Sequence, residues 1–132
     1  MQHHPSPLHL SHAREKRLYR ESCIRTGSCW KKNRSSHMLE KRIERRLGRT
    51  IQRHGGLWYK FVSPGQPGVP DRIAVLPGGR IVFVELKTET GRLRMLQQWQ
   101  LDRLRGLGAE VFVVRGSEEA NALEKELFGD EV

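Results

Sequence analysis

Apolar side chains return every four residues at Leu39, Ile43, Leu47 and Ile51, which predicts a helix over about Leu39 to His54 with one face toward a core. Gly55-Gly56 ends it. The pattern then changes to short apolar runs bounded by glycine and proline, as in strands: Leu57 to Val62, Val69 to Leu76, Arg80 to Lys87, and Glu110 to Val114. Leu76-Pro-Gly-Gly-Arg80 is a strong turn signal and predicts a hairpin centred near Gly78 and Gly79. Before the last strand, Leu93, Leu96, Leu104 and Leu107 form the apolar stripe of a second helix over about Arg92 to Leu107. Ser117, followed by Glu118 and Glu119, is placed to cap a final helix through about Phe128.

Three charges interrupt the hairpin. Asp71, Glu85 and Lys87 punctuate the runs Val69-Pro-Asp-Arg-Ile-Ala-Val-Leu76 and Arg80-Ile-Val-Phe-Val-Glu-Leu-Lys87. Charges beside a buried sheet are costly unless paired, hydrogen-bonded or bound to a metal. The predicted hairpin brings Asp71 across from Glu85 or Leu86. Alternation puts Glu85 and Lys87 on one face of their strand, with Val84 and Leu86 on the other. Whether Asp71 shares the Glu85 face turns on a one-residue register choice, or on a kink at Pro70. Two carboxylates beside a lysine make a hard-cation site able to activate water. Each part alone has a plainer reading: Glu-x-Lys as an exposed ion pair contributing at most about 1 kcal/mol, and Pro-Asp as an ordinary turn.

The neighbouring elements change that balance. Glu40 and Glu44 share one edge of the first helix beside its apolar ladder. Either can lean toward the carboxylates, and either can pair with Arg45, Arg46 or Arg49. Gln97 stands four residues after Leu93 and seven before Leu104, so it points inward and needs a partner. Beside the other site residues, the scissile phosphate or a water on the metal is the expected contact. Gln98 and Gln100 read as surface residues. The loop Ser63-Pro-Gly-Gln-Pro-Gly-Val-Pro70 is stiff and can bring its backbone close to a phosphate, or it is a plain strand connection.

Glu44, Lys60-Phe-Val-Ser-Pro-Gly65, Gly68-Val-Pro-Asp71, Val84-Glu-Leu-Lys87 and Gln97, taken in order, resemble the small stand-alone VRR-NUC members of the PD-(D/E)xK nuclease superfamily. The resemblance covers about Met38 to Gly116. It implies an α/β fold with a restriction-endonuclease-like α-β-β-β-α-β core, a mixed central sheet flanked by helices. It also favours Glu44 over Glu40, because junction resolvases of that superfamily place a glutamate eleven residues before the glycine that ends the first helix, as Glu44 stands to Gly55. The implied catalytic set is Glu44, Asp71, Glu85, Lys87 and Gln97. Asp71, Glu85 and the Leu86 carbonyl would hold Mg2+ or Mn2+, with Glu44 assisting through a second ion or a water. Lys87 would help deprotonate the attacking water or stabilise charge developing on phosphate. The implied activity is divalent-metal-dependent endonucleolytic cleavage of DNA, selective for junctions or other branched structures, leaving a 5′-phosphate and a 3′-hydroxyl. The alternatives are a restriction-type or general nicking endonuclease, and, from another class, a DNA-binding protein with a nuclease fold and no activity.

Composition agrees with a nucleic-acid partner. The 132 residues carry 24 lysines and arginines against 15 acids, a net charge of +9. Lys60, Ser63, Gly65, Arg72, Arg92 and Arg94 flank the proposed site and are the expected DNA contacts. One domain is expected over residues 38–132. A core of this size is modest, and a homodimer would bury more surface and set two sites on opposed strands. Residues 1–37 are polar and basic without a sustained period, the pattern of disorder. They read as a basic DNA-binding arm, a start taken too early with Met38 the natural first residue, or in part a vector scar at Ser35-Ser-His-Met38. Cys23 and Cys29 have the wrong spacing for a zinc finger. No small-molecule cofactor, membrane span or signal-peptide core is expected. The default location is the cytoplasm of a bacterial or phage-infected cell.

Overall fold

A computed structural model of the chain describes residues 34–130. Its elements run α1 (Arg34–Arg53), β1 (Leu57–Lys60), β2 (Arg72–Val75), β3 (Ile81–Lys87), α2 (Met95–Gly106), β4 (Glu110–Arg115) and α3 (Gly116–Phe128). This is the expected α-β-β-β-α-β order with a closing helix. The four strands form one mixed sheet in the order β1-β2-β3-β4. β1, β2 and β3 pair antiparallel, and β4 joins β3 in parallel after the crossover through α2.

Alternation along β3 divides the protein. Val82, Val84 and Leu86 point to one side, where they meet Ile43, Leu47 and Ile51 of α1, Ala120 and Leu123 of α3, and Ala74, Leu76 and Val114 of the sheet. The four-residue ladder of α1 thus lies in the main core. A buried polar tie joins the two helices above it: Thr50 Oγ1 donates to Glu124 Oε1 at 3.0 Å, and Arg46 meets Glu124 Oε2 at 3.0 Å. The other side of β3 carries Phe83, Glu85 and Lys87. Glu85, Leu101 of α2 and Val111 of β4 are buried.

The hairpin turn works as its glycines suggest. Gly78 and Gly79 both adopt positive φ, near +86° and +82°, and Leu76 N donates to Arg80 O at 2.8 Å across the turn. Several boundaries differ from expectation. Helix α1 starts at Arg34, so residues 34–37, expected to be disordered, are helical; residues 1–33, with Cys23 and Cys29, lie outside the described residues. The stripe of α2 is centred on Leu101, which is fully buried, whereas Leu107 is 84% exposed just past the helix end. Gln100, read as a surface residue, is buried and donates to Pro67 O at 3.2 Å, which satisfies its amide. Ser117 lies inside the first turn of α3, and Glu119 does the capping by accepting Arg115 N–H at 2.7 Å. Among the described residues no helix is long and apolar enough to cross a membrane.

Leu47, 1% exposed between α1 and the sheet, is the residue on which this packing is most simply tested. Leu47→Ala is expected to cost about 2–5 kcal/mol of unfolding free energy, while Leu107→Ala shifts it by no more than about 0.5 kcal/mol. Urea unfolding followed by circular dichroism measures both, and similar losses would contradict the assignment of the core.

Candidate active site

The site forms where β2 enters the sheet beside the end of β3. Arg72 pairs with Val84, so the register continued by one residue sets Asp71 opposite Glu85. Asp71 stands just ahead of β2. Its carbonyl accepts Phe61 N–H at 2.8 Å, and its carboxylate Oδ2 accepts Leu86 N–H at 3.0 Å. A side chain thereby takes a bond that the strand ladder leaves off, and Asp71 is fixed at both its backbone and its carboxylate.

The segment leading to Asp71 is held by α2. Gly68 has a φ near +86°, and a Cβ there would sit 2.9 Å from the Leu96 carbonyl oxygen, so this close passage needs glycine. Gln100 grips Pro67 from the same helix, and Pro70 is fully buried. The loop is therefore latched to α2 at its C-terminal half.

Glu85 has no exposed surface. Its Oε1 accepts Gln97 Nε2 at 2.6 Å and meets Lys87 Nζ at 2.7 Å. Its Oε2 is buried with no hydrogen-bond partner among the described residues. Gln97 is aligned from its far end, where its Oε1 accepts Arg94 N–H at 3.1 Å at the entrance to α2. Burial first, and then the neighbouring Asp71 charge, against the opposing pull of Lys87, together push the Glu85 carboxyl up to about 7. Two adjacent carboxylates, one with an unsatisfied buried oxygen, are the donor set that a cation would relieve. Among the described residues no three His, Cys, Asp or Glu side chains converge. A cation resting on two carboxylates would complete its shell from backbone and water, as Mg2+ commonly does.

A cavity of about 650 Å³ opens over these groups. Of the expected site residues it is lined by Glu44, Lys60, Asp71, Arg72, Leu86, Lys87, Arg94 and Gln97, with Glu85 buried beneath. Glu44 is on the expected wall but is ion-paired with Arg72, whose guanidinium also lies 5.9 Å from the Trp58 ring centroid. Two separate expectations, a metal-side glutamate and a DNA-contacting arginine, thus meet as one neutralised pair. Gln97, expected to meet the scissile phosphate or a water on the metal, donates its amide N–H to Glu85. Ser63, Gly65 and Arg92 do not line the cavity. His37, Lys41 and Arg45 of α1 do line it and were missed, although their four-residue spacing along the edge that carries Glu40 and Glu44 was readable.

Residues 8–118 match the family model of the VRR-NUC domain. Over 75 residues the chain is 44% identical to "Putative nuclease p44" of Acyrthosiphon pisum secondary endosymbiont phage 1, a match covering 57% of this chain and 81% of that protein. A solved structure described as "VRR_NUC domain" superposes with a TM-score of 0.64 at 32% identity, covering 67% of this chain and 97% of the other.

The raised Glu85 carboxyl has a measurable consequence. Its unperturbed value is 4.5, so between there and about 7 the folded protein retains a proton that the unfolded chain has released. Stability from this group is fully present at low pH and is lost as pH rises through the folded value. In EDTA, the urea midpoint of the wild type should fall relative to that of Glu85→Gln between about pH 5 and pH 7.5. A constant difference across that window would show that Glu85 titrates normally.

Proposed function

The chain belongs to the VRR-NUC domain family, and from that premise we propose that it is a divalent-metal-dependent DNA endonuclease selective for branched substrates such as four-way junctions. The observation that carries the reading is Glu85. It is a buried carboxylate beside Asp71, held through one oxygen by Lys87 and Gln97, with the other oxygen unsatisfied. Buried polar atoms are satisfied in the great majority of cases, so such an atom points to a partner still to be supplied.

Asp71, Glu85 and the Leu86 carbonyl would hold Mg2+, with Mn2+ able to substitute. A divalent cation there would neutralise charge on the scissile phosphate and lower the pKa of a nearby water. Lys87, with its side chain 14% exposed at the cavity wall, orients that water and takes its proton only as the neutral amine, released from its ion pair with Glu85; as the ammonium it neutralises charge building on the phosphate oxygens. Water oxygen bonds to phosphorus, the bond from phosphorus to the 3′-oxygen breaks, and a proton reaches the departing oxygen, giving 5′-phosphate and 3′-hydroxyl ends. Gln97 is a positioning residue in this scheme, keeping Glu85 oriented. Glu44 contributes to cation binding only when its ion pair with Arg72 opens. Lys60 and Arg94 supply cationic contacts at the cavity wall.

A homodimer belongs to the same reading. Its support is the apolar surface that Leu57, Tyr59 and Ile81 leave 49–52% exposed on one sheet face. Sedimentation of the full chain at micromolar concentration should give twice the monomer mass; a single monomeric species would remove this part.

Cleavage tests the rest. Labelled four-way junction and matched linear duplex are incubated with the full chain in Mg2+, Mn2+ or EDTA, beside Lys87→Ala. The expected result is metal-dependent cutting of the junction, reduced about 10²–10⁴-fold in the variant with DNA binding kept. Equal cutting of both substrates would leave a nuclease without structural preference. Binding without cutting in any metal would favour a non-catalytic DNA-binding protein.

A further inference from the structure

Helix α1 carries a line of cations that the site chemistry does not use. Lys41, Arg45 and Arg49 are exposed and four residues apart, so their positions advance about 6 Å per step along the helix axis. None of the three forms an ion pair with another described residue, whereas Arg46 is neutralised by Glu124 and Arg72 by Glu44. Like charges at this spacing disfavour the helix that holds them. A merely solvated face relieves that repulsion by interspersing acids; here Glu44, three residues from Lys41, is taken by Arg72, and no acid lies within four residues of Arg49.

The line also has a place. Lys41 and Arg45 lie on the wall of the carboxylate cavity. A second cavity, about 270 Å³, continues from it between α1 and β1, sharing Glu44, Arg45 and Arg72 and adding Arg49 and Trp58. Gly48 lies against Trp58, with no room for a side chain between them: a Cβ would come within 2.7 Å of the indole.

We propose that the groove between α1 and β1 is a nucleic-acid backbone track leading away from the active site, in which Lys41, Arg45 and Arg49 each contact a phosphate. The proposal rests on the nuclease reading and specifies which surface carries the DNA outside the point of cutting. Evenly spaced cations suit a polyanion with evenly spaced charge. Continuity with the carboxylate cavity favours DNA over an acidic protein.

The test is fluorescence anisotropy of a labelled duplex of about 30 base pairs, long enough to extend beyond the site, titrated with full-length protein in EDTA over a salt series. Lys41→Gln/Arg45→Gln/Arg49→Gln is compared with wild type, with Arg49→Gln alone, and with Arg103→Gln/Lys125→Gln off the track. Each lost phosphate contact should lower the slope of log K against log salt by about 0.9. The triple variant is therefore expected to lose about 3 in slope and at least about tenfold in affinity at moderate salt. Arg49→Gln loses about 1, and the off-track variant matches wild type. Circular dichroism confirms that the exposed substitutions leave the helix folded, and Arg49→Gln carries the test if the triple variant does not fold. If wild type cleaves DNA but the ridge variants keep its affinity and slope, the track is wrong and the nuclease reading stands. If wild type neither binds nor cleaves, both fall.

Discussion

A carboxylate with no exposed surface constrains everything around it. Glu85 is at the end of the central strand β3, on the face away from the main core, and it cannot stay charged there without neighbours to hold it. Lys87 reaches it from two residues along the same strand, and Gln97 reaches it from α2. Asp71 has the opposite effect, its charge raising the Glu85 carboxyl further. The fold thus retains a local electrostatic cost and leaves one oxygen unsatisfied. A buried carboxylate perturbed in this way marks a functional site more often than a purely structural pair.

The supporting elements can be understood from that demand. β2 must arrive in the register that sets Asp71 opposite Glu85, and the tight glycine turn at Gly78-Gly79 connects the two strands in that register. α2 must enter so that Gln97 faces the strand, and its first turn orients the amide through Arg94 N–H. The same helix holds the loop before Asp71 through Gln100 and the close approach of Gly68 to Leu96. One helix therefore positions both carboxylates, one through a side-chain amide and the other through the path of the chain.

Helix α1 has three roles divided by its 3.6-residue period. Ile43, Leu47 and Ile51 fill the core. Glu44, Lys41 and Arg45 line the cavity, and Arg49 carries the exposed edge on into the neighbouring groove. Rotating the helix by one residue would disturb all three together, so core packing also fixes the charges presented to a substrate.

Much of this was legible in the chain itself. The ladder of α1, the hairpin turn, the element order and the identities of Asp71, Glu85, Lys87 and Gln97 as candidates follow from local periodicity, turn chemistry and charges placed against apolar pattern. Partners were not legible in the same way. Arg72 and Glu44 are separated by 28 residues, and nothing local says that they neutralise each other. Gln100 read as a surface residue beside the inward Gln97, yet Pro67, 33 residues away, supplies the acceptor that lets it be buried. Leu107 fits the stripe by spacing but falls past the helix end, where spacing no longer decides its face. Sequence determined which elements form and which residues are candidates for the chemistry, because those depend on near neighbours. Only tertiary structure decided which charge meets which, because register and helix docking bring together segments whose separation along the chain carries no record of the encounter.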